Sequence, residues 1–142
     1  MPIRIAEYVL KANEFIHDVA RQLNDAENFD RASRVTAAVF HGLRDTLTPD
    51  ESLHLISQLP LYIKAVYIDE WKKAAEPAAS NFLNQLCSYG RQLAEQDFNN
   101  ESQARVSTKA VLNAMKKYAS HNEIDHVTKR LEIGDLQSVS AK

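Results

Sequence analysis

The sequence predicts an all-α protein, a compact helical bundle of two pseudo-symmetric repeats with three or four helices each. Three observations support this fold class. The 142 residues include only three glycines and four prolines, so few residues break helices. Apolar residues recur at helical spacing along most of the chain. The sequence of one half also recurs in the other half.

The repeat becomes visible when Thr36 is aligned with Thr108. "TAAVFHGL" (36–43) then lies on "TKAVLNAM" (108–115), and Glu51 and His54 lie on Glu123 and His126. Upstream the offset is shorter, because Phe15 lies on Phe82, so the second copy has about five extra residues near "AEQDFNN" (94–100). We predict a single domain, residues 1–142. Repeat one covers about 12–70, a linker about 71–79, repeat two about 80–136, and a flexible tail 137–142.

The helices of the first repeat can be placed from apolar stripes and caps. The first stripe runs over 15–23 and the second over 32–47. Thr48 then begins a third helix as its N-cap, and Glu51 closes a capping box. Pro60 ends that helix or starts the next turn.

The second repeat follows the same order. Its stripes run over 82–93 and 104–118, and Ser120 and Glu123 are expected to form a second capping box.

The segment "LPLYIKAVYIDEW" (59–71) does not alternate, because Lys64 is the only polar residue between 61 and 68. A helix that is apolar on all sides is buried centrally or covered by a partner. Three alternatives follow: a core helix that contacts both halves, a homo-oligomer interface, or the wall of a pocket. The candidate interface residues are Tyr62, Val66, Tyr67 and Trp71.

Read as one unit, "VFHGLRDTLTPDESLHLISQLPLYIKAVYIDEW" resembles a bacterial family called domain of unknown function 2267. The resemblance depends on His41, Leu43, Arg44 and Leu47, followed by Pro-Asp-Glu, Leu-Ile-Ser-Gln-Leu-Pro and the aromatic run that ends at Trp71. It covers about 12–136. The resemblance implies an all-helical fold of tandem repeats without an established activity, and it transfers no functional residues.

Two symmetry-related Glu-x-x-His motifs are the strongest chemical signal, and they place Glu51 beside His54 and Glu123 beside His126 on their helices; a third such motif is Glu14 and His17. Carboxylate-bridged metal sites use such pairs together with further glutamates. These four residues are therefore metal-ligand candidates. The alternative is capping, in which both glutamates serve the helix N-termini, and the helices over 31–46 and 103–118 supply no further glutamate.

His41 and Cys87 are the other residues with possible chemistry, and the known catalytic motifs are missing from the sequence. His41 could bind haem or a metal, or hydrogen-bond a neighbouring helix. Cys87 is the sole cysteine, which excludes an internal disulfide, and we expect it in the core. No nucleophile elbow, phosphate-binding loop or dinucleotide fingerprint occurs. We assign no catalytic or cofactor-binding residue and predict no cofactor.

Composition limits the partners. The net charge is −2, which gives no support for nucleic-acid binding. No apolar stretch reaches the roughly 18 residues of a membrane span, so we expect a cytoplasmic protein without membrane contact. The favoured function is a non-enzymatic helical scaffold or interaction module that binds itself or another protein. The alternative is a small metal- or haem-binding helical protein that uses His54 and His126 with nearby carboxylates.

Overall fold

The computed structural model describes residues 3–71 and 82–131. Every regular element in these ranges is helical, which confirms the all-α prediction. The elements are α1 (Ile5–Gln22), α2 (Phe29–Thr46), α3 (Pro49–Ile56), α4 (Leu61–Ile68), α5 (Phe82–Ala94), a 3₁₀ turn (Glu95–Asp97), α6 (Glu101–Met115) and α7 (His121–Leu131). The predicted linker after Trp71 and the predicted tail 137–142 lie outside the described residues.

Asparagine side chains start the long second helix of each half. Asn28 Oδ1 accepts a hydrogen bond of 3.0 Å from the backbone N–H of Arg31 at the start of α2. Asn100 Oδ1 accepts the corresponding bond of 2.9 Å from Gln103 at the start of α6. Each cap satisfies a backbone donor that has no partner inside its helix. An asparagine N-cap therefore begins both α2 and α6, at equivalent positions of the two copies.

The chain between 48 and 68 forms two short helices rather than one. Pro60 has an extended backbone conformation, with φ −57° and ψ 149°, and it is the N-cap of α4. One face of α4 packs inward, because Ile63 and Tyr67 are 2% and 0% exposed. The other side is open to solvent. Its residues are Leu61, Tyr62, Ala65, Val66 and Ile68. Because this side is exposed, α4 is not the central core helix that was one of the three alternatives for this segment.

The two halves share one core because their helices pack crosswise. The second helix of the first half, α2, lies against α5, and the second helix of the second half, α6, lies against α1. Phe15 of α1 and Phe40 of α2 meet at the centre, with ring centroids 6.3 Å apart. Tyr67 brings α4 onto the same cluster at 5.1 Å from Phe40. Neither half therefore encloses its own apolar side chains.

Candidate functional site

Helices α3 and α7 lie antiparallel and exchange polar side chains. A hydrogen bond of 2.6 Å joins His54 Nδ1 to Glu123 Oε2. A bond of 2.7 Å joins His126 Nε2 to Glu51 Oε2. Each histidine thus bonds the glutamate of the other half rather than the one in its own motif. We call these four residues the crossed Glu–His pairs.

The residues four positions after each histidine extend this exchange. Arg130 Nε donates to both oxygens of Glu51, at 3.1 and 2.8 Å. Gln58 Oε1 accepts from the backbone N–H of Ser120 at 2.8 Å. The repeat alignment pairs Gln58 with Arg130, so equivalent positions reach the N-terminus of the opposite helix. Sequence reasoning missed both residues, although residues four apart share a helical face and this spacing was visible.

The two predicted capping boxes turn out to be unequal. At α3 both bonds form, because Thr48 Oγ1 accepts from the Glu51 N–H at 3.1 Å and Glu51 Oε1 accepts from the Thr48 N–H at 2.9 Å. At α7 only Ser120 Oγ accepts, from the Glu123 N–H at 3.1 Å. The Ser120 N–H donates to Gln58 instead, and the Glu123 carboxylate is hydrogen-bonded to His54. The second capping box is therefore half formed, because tertiary contacts replace the local bond.

The crossed Glu–His pairs differ in burial and charge. The Glu123 side chain is 6% exposed beneath His54, which is 70% exposed. Partial burial opposes the ionisation of Glu51. The hydrogen bonds from Arg130, the Thr48 backbone and His126 outweigh that burial and lower the pKa of Glu51 to about 2. Glu51 is therefore a carboxylate at any pH near neutrality.

Metal binding by Glu51, His54, Glu123 and His126 stays a prediction. In the part of the chain that the structure describes, no three His, Cys, Asp or Glu side chains are arranged so that they could hold a metal ion. The contacts instead give each histidine one carboxylate, and the Arg130 cation lies against Glu51. These contacts hold α3 against α7.

A second polar cluster contains His41, whose ring stacks on Tyr89 of α5. The ring centroids are 3.6 Å apart and the planes are inclined by 6°. Arg44 Nη2 lies 2.7 Å from His41 Nδ1, and because a guanidinium only donates, this nitrogen accepts. Burial lowers the pKa of His41; the Asp45 carboxylate opposes that shift and the Arg44 charge adds to it. His41 thus contacts the neighbouring helix α5 by ring stacking, whereas its hydrogen bond is to Arg44 of its own helix and not to a neighbouring one.

Arg44 connects this cluster to α4. Its Nη1 donates to the backbone oxygens of Tyr67 at 3.1 Å and Asp69 at 2.8 Å, where the last carbonyl groups of α4 lack helical partners. Together with Val66, Glu70 and Tyr89, this arginine lines a cavity of about 270 Å³. The sequence motif around His41 drew attention to Arg44, but nothing in the sequence indicated the stacking on Tyr89.

The four predicted interface residues have different positions. Tyr62 and Val66 are exposed, at 37% and 45%. Tyr67 is fully buried, with its hydroxyl 2.7 Å from Ser52 Oγ, and Trp71 packs edge-on against its ring at 6.0 Å. Tyr67 therefore belongs to the core, and its burial contradicts the prediction that it is an interface residue. Sequence reasoning overlooked Leu61 and Ile68, each 47% exposed in the same apolar run.

These helices and contacts define an all-α protein whose two halves interlock through a common core and the crossed Glu–His pairs. The sequence profile described as "Uncharacterized conserved protein (DUF2267)" matches residues 12–138, so the chain belongs to that family. The family resemblance noted in the sequence is thereby confirmed. A comparison with curated proteins gives no match. No helix among the described residues is long and apolar enough to cross a membrane.

Proposed function

We propose that this protein is a non-enzymatic helical interaction module that associates with a second copy of itself through the outer face of α4. The observation that carries the proposal is the set of large apolar side chains exposed on this short helix. Leu61, Val66 and Ile68 are each 45–47% exposed, and Lys64 is the only charged residue in α4. An uncharged apolar helix face at the surface is typical of a protein–protein contact.

Helix α1 extends this apolar surface. Ile5 and Val9 lie on the same helical stripe as the core residue Val19, but they are 61% and 40% exposed. The ring of Tyr8 contacts that of Tyr62 at 6.2 Å, which joins the first turns of α1 to α4. Contiguous exposed apolar side chains of this kind mark interaction sites on soluble proteins. We call it the α1–α4 surface.

The order of side chains on α4 fits a second copy of the same helix. Leu61, Ala65 and Ile68 follow one another at spacings of four and three, so they form a single ridge on the outer face. When two such helices cross antiparallel about a two-fold axis, Ala65 faces Ala65 and allows close approach, while Leu61 meets Ile68 of the partner helix. A self-complementary surface of this kind is what a two-fold dimer requires.

Sedimentation velocity tests this proposal with a matched pair of variants. Wild-type protein is expected to form dimers at concentrations up to about 100 μM, and Ile68→Glu to remain monomeric because it would bury a charge in the contact. Leu53→Glu is the control, because Leu53 is a comparably exposed apolar residue, at 55%, on α3 outside the α1–α4 surface. It should dimerise like wild type.

Two outcomes would contradict self-association through this surface. One is a wild-type protein that stays monomeric throughout the concentration range, which would show that the α1–α4 surface does not bind a second copy. The other is an Ile68→Glu variant that dimerises as well as Leu53→Glu. Circular dichroism of both variants should show wild-type helix content, so that a change in mass reports the contact and not unfolding.

A further inference from the structure

Arg44 of α2 holds the C-terminal end of α4. Its Nη1 donates to the backbone oxygens of Tyr67 at 3.1 Å and Asp69 at 2.8 Å. The turn that follows is strained, because Glu70 has a φ of 57°, in the left-handed region that a residue with a side chain rarely adopts. Release of Arg44 would therefore free a turn whose backbone conformation is costly.

His41, one helical turn earlier on α2, orients Arg44 in its turn. Arg44 Nη2 donates to His41 Nδ1 at 2.7 Å, which requires that this nitrogen carries no proton. The imidazole proton is then on Nε2, which lies 3.4 Å from Asp45 Oδ2. The stack on Tyr89, at 3.6 Å and 6°, fixes the plane of the ring. The position of Arg44 therefore depends on the protonation state of one imidazole.

Among the described residues, the titratable groups around His41 come from three parts of the fold. They are Arg44 and Asp45 on α2, Tyr89 on α5, and Asp69 and Glu70 after α4. Burial disfavours a second proton on the ring, the Asp45 carboxylate favours it, and the Arg44 charge disfavours it. The result is a pKa of His41 below its ordinary value of 6.5. The ring is therefore neutral at pH 7 and gains its second proton on acidification.

We propose that His41 and Arg44 form a pH-sensitive latch, which holds the end of α4 at neutral pH and releases it in mild acid. A proton on Nδ1 turns the acceptor of Arg44 into a donor, and the imidazolium and guanidinium charges then repel each other. The protonated ring keeps Asp45 as its partner and can remain stacked on Tyr89, so Arg44 is the group that moves. The released end carries Ile68 of the α1–α4 surface, so control of self-association by this latch rests on the proposed function.

Trp71 reports on this latch because it is the sole tryptophan and packs on Tyr67 at 6.0 Å, next to a carbonyl group that Arg44 binds. Fluorescence of dilute, monomeric protein should show a red shift of the emission maximum as the pH falls, in a one-proton step with its midpoint below 6.5. The ring signals of His41 in nuclear magnetic resonance spectra should titrate with the same midpoint. Because the protein is monomeric in this measurement, failure of the latch is distinguishable from failure of self-association.

Three variants separate the latch from general effects of acid. His41→Gln offers Arg44 an acceptor that does not titrate, and it should abolish the step. Asp45→Asn removes the carboxylate that favours the protonated ring, and it should move the midpoint to lower pH. His121→Gln is the matched control, because that ring is 83% exposed on α7, and it should leave the step unchanged.

Any of four results would overturn the latch. The emission maximum could stay constant while the His41 ring titrates, or the step could persist in His41→Gln. His121→Gln could remove the step as well, or Asp45→Asn could leave its midpoint unchanged. Circular dichroism at the same pH values should keep the helix content of the neutral protein. A general loss of helix at the midpoint would show global unfolding in place of a release of α4.

Discussion

Single residues in this protein serve both a helix and the contact between the halves. Glu51 completes the capping box of α3 and also receives hydrogen bonds from His126 and Arg130. The capping role explains why a glutamate follows Thr48 by three residues, and the same carboxylate still accepts hydrogen bonds from long-range partners. The same side chain therefore stabilises a local element and the tertiary fold.

The pH dependence of stability should depend measurably on Glu51. Its pKa is about 2 in the folded protein against 4.5 ordinarily, so between these values the unfolded chain binds more protons. The stabilisation by Glu51 is complete above about pH 4.5 and is lost as the pH falls towards 2. Urea unfolding at successive pH values should therefore show a steeper loss for wild type than for Glu51→Gln, which should also be less stable at pH 7 by about 1–3 kcal/mol.

Asp50→Asn provides the matched control for that measurement. It removes an exposed carboxylate from the same first turn of α3. The variant should keep the wild-type pH dependence. A Glu51→Gln variant with an unchanged slope would show that the hydrogen bonds to Glu51 do not control its ionisation.

Tyr67 should contribute more through its hydroxyl than its exposed neighbour Tyr62 does. Tyr67→Phe leaves the buried Ser52 hydroxyl without its partner at 2.7 Å, which should lower the free energy of unfolding by about 1–3 kcal/mol. Tyr62→Phe is the control, because that ring is 37% exposed, and it should change stability by less than about 0.5 kcal/mol. Equal urea midpoints for the two variants would contradict this account.

At the scale of the element, α5 depends on a close approach at Gly90. A Cβ atom at this position would lie 2.4 Å from Cγ of the Phe98 ring, which is fully buried. The glycine is therefore required by packing, since Phe98 occupies the space that a side chain would need. This contact holds the 3₁₀ turn and the start of α6 against α5.

Gly90→Ala should destabilise the protein although alanine is the better helix former. An exposed glycine in a helix would gain about 1 kcal/mol from this change. Here we expect a loss of about 1–3 kcal/mol because the core is overpacked. Ser88→Ala, two residues earlier on the exposed side of α5, should leave the thermal midpoint close to that of wild type. A midpoint for Gly90→Ala at or above the wild-type value would refute the packing argument.

The elements also show what the sequence could predict. Helix starts at Thr48 and Ser120 were predictable because a cap depends on residues three apart. The exposed face of α4 was not, because a run that is apolar on all sides does not reveal which side its neighbours cover. The crossed Glu–His pairs were also out of reach. Their partners lie 69 and 75 residues apart, and only the antiparallel approach of α3 and α7 determines which glutamate meets which histidine.

At the scale of the whole molecule, the halves should unfold together. Helix α2 packs on α5 and α1 on α6, so removal of either half would expose the core of the other. Arg31 adds a polar connection, because it binds Asp97 of the second half at 2.6 Å and Asp25 of the first at 3.1 Å. Each half is therefore expected to depend on the other for its stability.

Urea unfolding monitored by two probes tests this dependence. Trp71 fluorescence reports on the first half, where the indole packs on Tyr67, whereas far-ultraviolet circular dichroism reports on all helices. The two transitions should coincide for wild type, and Glu51→Gln should shift both by the same amount. Lys116→Gln, which removes an exposed cation at the end of α6, should shift neither transition. A fluorescence transition that precedes the loss of helix would show two independently folding units.

The crossed Glu–His pairs also restrict how the gene of this protein can change in length. One residue inserted within α3 between Glu51 and His54 would turn one side chain by about 100° around the helix axis relative to the other, so that they no longer face α7 together. The same holds for an insertion within α7 between Glu123 and His126. The extra residues of the second copy lie before α6, outside the helices that carry the crossed Glu–His pairs. From Asn28 to Gln58, every position keeps its counterpart in the second copy at one constant offset, so the extra residues of the second copy fall outside the segments that carry the crossed pairs.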